Sequence, residues 1–216
     1  MHKIISNLKF TVCTDSHILY CNQRSTQIRL ISLHNHLIDA LTQCHDTKQC
    51  LILLKQYAQY LQIAPVGVIG PKEASEQEYI FAEKLGECLA DIGLPVICGG
   101  RNGVMEAVCK GVYQKGGTSI GLIPTDHIFD ANKYVKQIVT TNMGPTRNSL
   151  IALSAFSLIA VGGGMGTLSE IAYGLHYGKP VFATSTAPVV QGVVVSDKID
   201  EILSAVVAVL LNFYDQ

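Results

Sequence analysis

The sequence predicts an α/β fold, a Rossmann-like doubly wound parallel sheet preceded by a small N-terminal β-β-β-α-α module, and three observations predict it. Short β-branched runs alternate with amphipathic stretches from residue 65 onward, the pattern of a parallel sheet covered on both faces by helices. Three strand-to-helix loops are rich in glycine or otherwise unusual. All nineteen glycines of the 216-residue chain follow Ala64, which sets a boundary between residues 1–63 and a domain of residues 64–216.

The leading module reads as strands over residues 9–13, 17–22 and 26–31, a helix near 33–43 and a second helix after Asp46. Asp46 with Gln49 has the form of an N-cap pair, and Leu51, Leu54, Ala58 and Leu61 recur at helical spacing. By element order alone the module resembles a winged-helix or PqqD-like fold; a cap on the sheet or a dimerisation arm is the role expected of it. In the domain that follows, strands are expected over residues 66–69, 95–98, 119–123, 136–140, 157–161 and 180–184. Helices are expected from Ser75, Gly103, Pro145, Thr167 and Lys198. Ligands of such sheets collect beyond the carboxyl ends of the strands, where strand order reverses, so function is expected in the loops that follow strands.

Nearly half of the residues are apolar, enough for a substantial core. A formal net charge of -1 argues against the broad positive field of a nucleic-acid binder, whereas a small anionic ligand needs only a local positive site. Seven cysteines without a C-x-x-C pair fit reduced thiols and a cytoplasmic location better than a disulfide framework. The opening MHKIISNLKF lacks the apolar run of a secretory signal, and the apolar stretch 202–211 is about half a membrane span, so no membrane segment is expected. Neither the histidines nor the cysteines have a metal-ligand spacing, so no metal or cofactor is called for.

The strongest loop runs Gly162-Gly163-Gly164-Met165-Gly166-Thr167-Leu168-Ser169-Glu170. Its glycines let backbone N–H groups approach an anion at a helix N-terminus, and Thr167 adds a hydroxyl. The alternative is a tight turn in which Thr167 and Glu170 form a capping box. A second loop, Cys98-Gly99-Gly100-Arg101-Asn102-Gly103, sets Arg101 where it can meet a phosphate. Neither loop matches the dinucleotide fingerprint or a P-loop. The loop from Gly70 to Ser75 is assigned to the pocket wall, because Glu76 and Glu78 already complement the dipole of the helix it enters. Arg147 stands in the first turn of a helix beginning near Pro145, where the dipole disfavours a cation; a bound anion or a carboxylate resolves that conflict, and Glu170 is its natural partner.

These residues carry a resemblance. Residues 66–184 resemble the LOG-like (SLOG) superfamily, which includes cytokinin riboside 5'-monophosphate phosphoribohydrolases and proteins labelled "possible lysine decarboxylase". The P-G-G-x-G-T-x-x-E hallmark looks like Gly162 to Glu170, G-G-G-x-x-G-L-M-G looks like Cys98 to Glu106, and Arg147 is similar to the arginine that follows a methionine there. Four departures are specific: Gly162 replaces the proline, Glu106 replaces a glycine, Met143 lies one residue further from Arg147, and Asn148 stands where the phosphoribohydrolases have lysine. These features look closer to the branch of the molybdenum cofactor carriers, sometimes grouped with DprA.

The resemblance implies a nucleotide-binding protein, with Gly70, Gly99, Gly100, Arg101, Asn102, Gly103, Gly163, Gly164, Met165, Gly166 and Thr167 binding the phosphorylated ligand, a nucleoside monophosphate. As an enzyme it would be a phosphoribohydrolase releasing free base and ribose 5-phosphate, with Arg147 and Glu170 catalytic and Arg147 keeping Glu170 ionised. Otherwise it would be a non-catalytic carrier or sensor of a nucleotide or molybdopterin-type cofactor. Lysine decarboxylation is disfavoured, since it needs pyridoxal phosphate on a Schiff-base lysine. The resemblance also implies a homo-oligomer.

Overall fold

The computed structural model describes residues 10–12, 16, 18–21, 24–30, 35–44 and 47–211, and the chain divides into two compact units. One holds the described residues up to Ala64 together with those from Asp200 onward; the other is Pro65–Ile199. The residues from Asp200 onward thus pack in the same unit as the leading segment.

In the first unit, β1 (Phe10–Val12), β2 (Ile18–Cys21), β3 (Arg24–Leu30) and β4 (Leu61–Ile63) form an antiparallel sheet in sequence order. Leu19, Cys21, Ile28 and Leu30 are buried at alternate positions, the period of a half-covered sheet. Helices α1 (Asn35–Thr42) and α2 (Thr47–Gln56) follow β3. The expected β-β-β-α-α order is present and is followed by β4: Leu61, counted as helical by spacing, pairs with Leu30, and Ile63 pairs with Ile28. A 3-10 turn, Ala58–Tyr60, ends the helical run without any Gly or Pro to signal it. Asp46 of the expected N-cap pair lies outside the described residues. At the chain's end, α7 (Ile199–Leu210) buries Ile202, Val206, Val207 and Leu210 at helical spacing.

The second unit is a seven-stranded, wholly parallel sheet: β5 (Val66–Ile69), β6 (Val96–Cys98), β7 (Ser119–Ile123), β8 (Gln137–Thr140), β9 (Leu158–Ala160), β10 (Val181–Ala183) and β11 (Val194–Val195). Their spatial order is β11-β10-β9-β5-β6-β7-β8. The chain builds outward from β5 to β8, then returns to lay β9 on the other side of β5, so order reverses between β5 and β9. Six of these strands lie where the sequence predicts them. The two-residue edge strand β11 was not anticipated, being too short for any periodicity.

Both faces of the central strands are buried, as the apolar runs require. On one face Ile69, Ile97, Leu158, Ala160 and Val181 pack with Ile151 and Ala152 of α5 (Asn148–Ser154) and Ile171 of α6 (Met165–His176). On the other, α4 (Val104–Gln114) lies over β5, β6 and β7 and packs in turn on α3 (Glu76–Asp91). Gly86 and Gly111 permit that helix contact. A methyl group on Gly111 would sit 2.8 Å from the Glu87 backbone nitrogen and closer still to the Glu83 carbonyl, backbone atoms that cannot rotate aside.

Gly111→Ala therefore opposes two effects, a helix-propensity gain of about 1 kcal/mol and a steric penalty of roughly 1–3 kcal/mol or more. The clash should win, and the urea midpoint of the variant should fall; an unchanged or raised midpoint would show that α3 and α4 part at no cost.

Candidate functional site

The loops at the carboxyl ends of β9, β5, β6 and β7 enclose a cavity of about 630 Å³ at the point where strand order reverses. That lies within the roughly 300–1,000 Å³ usual for small-molecule sites.

One wall is the start of α6. Its N-cap is Gly164, in extended conformation, and no side chain caps it. The first turn carries no acidic residue, so the N–H groups that every helix leaves unpaired at its start and the positive end of its dipole stay available. Thr167 is 2% exposed and lines the cavity, as do Gly164 and Gly166, around which a Cβ would meet no atom within 4 Å. The capping box considered for Thr167 and Glu170 does not form, because both lie inside the helix. That arrangement occurs instead in α3, where Glu78 N–H donates to Ser75 Oγ at 3.3 Å and Ser75 N–H donates to Glu78 Oε2 at 2.9 Å. Glu78 is thus engaged at its own helix, and its side chain lies against Gly162.

At the centre stand Arg147 and Glu170, each about 6% exposed. A 3-10 turn, Gly144–Arg147, delivers the arginine. Its Nη1 donates to Asn148 Oδ1 at 2.6 Å and to Glu170 Oε1 at 3.5 Å, and its Nη2 to the Gly99 carbonyl at 3.5 Å. Buried Nε has no partner among the described residues. Asn148 then donates from Nδ2 to the Gly166 carbonyl and to Ser169 Oγ, at 3.3 and 2.9 Å, tying the arginine to α6. Burial pushes the Glu170 carboxyl up to about 7, against the opposing pull of Arg147. Burial likewise lowers the Arg147 pKa, Glu170 pulling the other way. The expectation that Arg147 keeps Glu170 ionised is therefore corrected: desolvation outweighs the ion pair.

The second loop is held from two sides. Gly103, at φ 68°, brings the start of α4 against the carbonyls of Pro71 and Lys72, and Val104 N–H donates to the Pro71 carbonyl at 3.1 Å. Asn132 Nδ2 donates to the carbonyls of Gly100 and Arg101 at 3.1 and 2.9 Å. Gly99 makes room for the arginine, since a Cβ there would fall 2.5 Å from Arg147 Nη2.

Of the residues singled out in the sequence, Gly70, Arg101, Arg147, Gly164, Gly166, Thr167 and Glu170 line the cavity together. Gly99, Gly100, Asn102, Gly103, Gly163 and Met165 do not; the first two and Gly103 shape the loop, Gly163 lies against the Thr167 side chain, and Met165 is 84% exposed. Lys72, Glu73, Pro124, Thr125 and Asn148 line it as well. Thr125 follows β7 by two residues, and the rule that ligands gather after strands was the signal for it. Among the described residues no cluster of three or more His, Cys, Asp or Glu has the form of a metal site. Within the same residues, no helix is long and apolar enough to cross a membrane.

Residues 64–208 match the SLOG cluster4 family. An uncharacterized protein of Archaeoglobus fulgidus is 38% identical over 141 residues, 65% of this chain and 93% of that protein. The molybdenum cofactor binding protein of Rippkaea orientalis is similar in structure at 33% identity and a TM-score of 0.55, covering 69% of this chain and 86% of that one. The molybdenum cofactor carrier protein of Chlamydomonas reinhardtii is similar at 32% identity and a TM-score of 0.63, over 68% of this chain and 98% of that one.

Because the folded-state pKa of Glu170 is raised, the folded protein holds its proton more tightly than the unfolded chain does. Stability from this group is fully present below about pH 4.5 and is lost as pH rises through about 7. The loss is of the order of 3 kcal/mol. In urea titrations from pH 5 to 8, Glu170→Gln should flatten the decline seen in the wild type; parallel profiles would refute the assignment.

Proposed function

Because the chain belongs to the SLOG cluster4 family, we propose that its cavity binds a phosphorylated small molecule of the nucleotide type and holds it without turnover, as a carrier or sensor. The observation that carries the reading is the uncapped start of α6 opening on the cavity beside buried Thr167 and Arg147, the latter with Nε unpartnered among the described residues. Helix N–H groups, a hydroxyl and a buried cation are complementary to one phosphate. Pro71, Met105 and Pro124 supply apolar surface for a ring system. Two of the similar structures are named for binding or carrying the molybdenum cofactor, which supports cargo holding as the task.

Three features favour holding over hydrolysis. Arg147 spends Nη1 on Asn148, which occupies the position of the phosphoribohydrolase lysine. A carboxyl raised to about 7 is partly neutral at physiological pH, whereas an oxocarbenium-like transition state is stabilised by an ionised one. The cavity lining includes no histidine or cysteine to protonate a departing base.

Hydrolysis of an N-glycosidic bond is the second reading, favoured by Arg147 and Glu170 lining the cavity together. Glu170 would take a proton from a water whose oxygen bonds to C1' as the C1'–N bond breaks, and the base, leaving with that bond's electron pair, would take a proton from solvent, giving free base and ribose 5-phosphate. Calorimetric binding and chromatographic base release, measured on a panel of nucleoside 5'-monophosphates, separate the two. Binding without release is expected, with Thr167→Val weakening affinity about tenfold or more, the loss of a hydrogen bond to a charged group. Release that Glu170→Gln abolishes would establish the hydrolase instead.

A further inference from the structure

We infer that the cavity takes a ligand with anionic groups at both ends, of the nucleoside bisphosphate class, with Lys72 and Arg101 forming a second anion subsite apart from the start of α6. The inference rests on the proposed phosphate site at α6 and deepens it.

The cavity presents three cations, Lys72, Arg101 and Arg147, against two carboxylates, Glu73 and Glu170. Arg147 is matched by Glu170, but among the described residues no carboxylate forms an ion pair with Lys72 or Arg101. Arg101 is also near enough to Arg147 for repulsion between them to add to the burial that lowers the Arg147 pKa. The excess positive charge is therefore concentrated toward one cavity, where a second anion would relieve it.

Topology sets the separation. Sheet order runs β9-β5-β6, so the Arg101 loop after β6 stands two strands from the loop that opens α6. At about 4.8 Å per strand the offset is roughly 10 Å, which a nucleoside with a phosphate at each end bridges given the reach of an arginine side chain. The subsite is also fixed in advance. Val104 N–H on the Pro71 carbonyl joins the Lys72 and Arg101 loops, and Asn132 holds the Arg101 carbonyl, so both cations are carried on tied backbone.

The test compares adenosine 5'-monophosphate with adenosine 3',5'-bisphosphate by calorimetry on the full chain, in wild type, Lys72→Met, Arg101→Gln and Thr167→Val, with circular dichroism confirming folding. The bisphosphate should bind wild type at least tenfold more tightly. Lys72→Met and Arg101→Gln should bring the ratio of the two affinities toward one, whereas Thr167→Val should weaken both ligands and preserve the ratio. Equal affinities in wild type overturn the second subsite while leaving the phosphate site at α6 standing. A preference that neither cation variant reduces overturns the assignment to Lys72 and Arg101. If neither nucleotide binds, both readings fall.

Discussion

The burial of Arg147 beside Glu170 constrains everything around it. Removing two opposite charges from water costs several kcal/mol per ion, and a contact of 3.5 Å is longer than the roughly 2.7–2.9 Å of a strong charge-assisted bond. The pair alone does not offset that cost. Asn148 makes the closer contact with the guanidinium and carries the link onward to α6, so the arginine is positioned by an amide as much as by its countercharge. What results is a carboxyl near its own midpoint at neutral pH, able to accept or donate a hydrogen bond as a bound group requires. The same arginine lies close over position 99, where a Cβ would fall 2.5 Å from Nη2 and the guanidinium would have to shift.

A second constraint is the division of labour among helix starts. Of the helices that begin at this sheet edge, α3 caps itself with Ser75 and Glu78, and its polar start is satisfied internally. Helices α4 and α6 begin at glycines without a side-chain cap. At α4 the first helix N–H meets protein, Val104 N–H donating to the Pro71 carbonyl. At α6 the unpaired N–H groups open on the cavity, so one glycine loop shapes the site while the other forms its wall.

Much of this was legible in the sequence. Alternating apolar runs and helical stretches located six of the parallel strands, and the absence of glycine before residue 65 marked the change of architecture. Arg147 was recognisable because a cation in a first turn demands a partner, and Glu170 is that partner. What could not be read depends on packing across the chain. Leu61 continues a helical spacing yet pairs with Leu30, a competition that only the sheet decides. A T-x-x-E spacing reads as a capping box at Thr167, but the N-cap lies three residues earlier, at Gly164. The raised pKa of Glu170 follows from burial, which no local pattern encodes. Asn148 looked like a departure from a family pattern, while its work as a bridge needs the geometry of α6 beside it.

Gly164 and Gly166 border open space and adopt backbone angles that ordinary residues share, so neither glycine is demanded by the scaffold itself. Side chains added there would narrow the chamber without disturbing the layers beneath, decoupling what the protein accommodates from how firmly it folds. In evolutionary terms, that edge is a place where the shape of the chamber can drift by single substitutions at little cost to stability. A lineage could reshape the chamber here while its sheet and helices stay as they are.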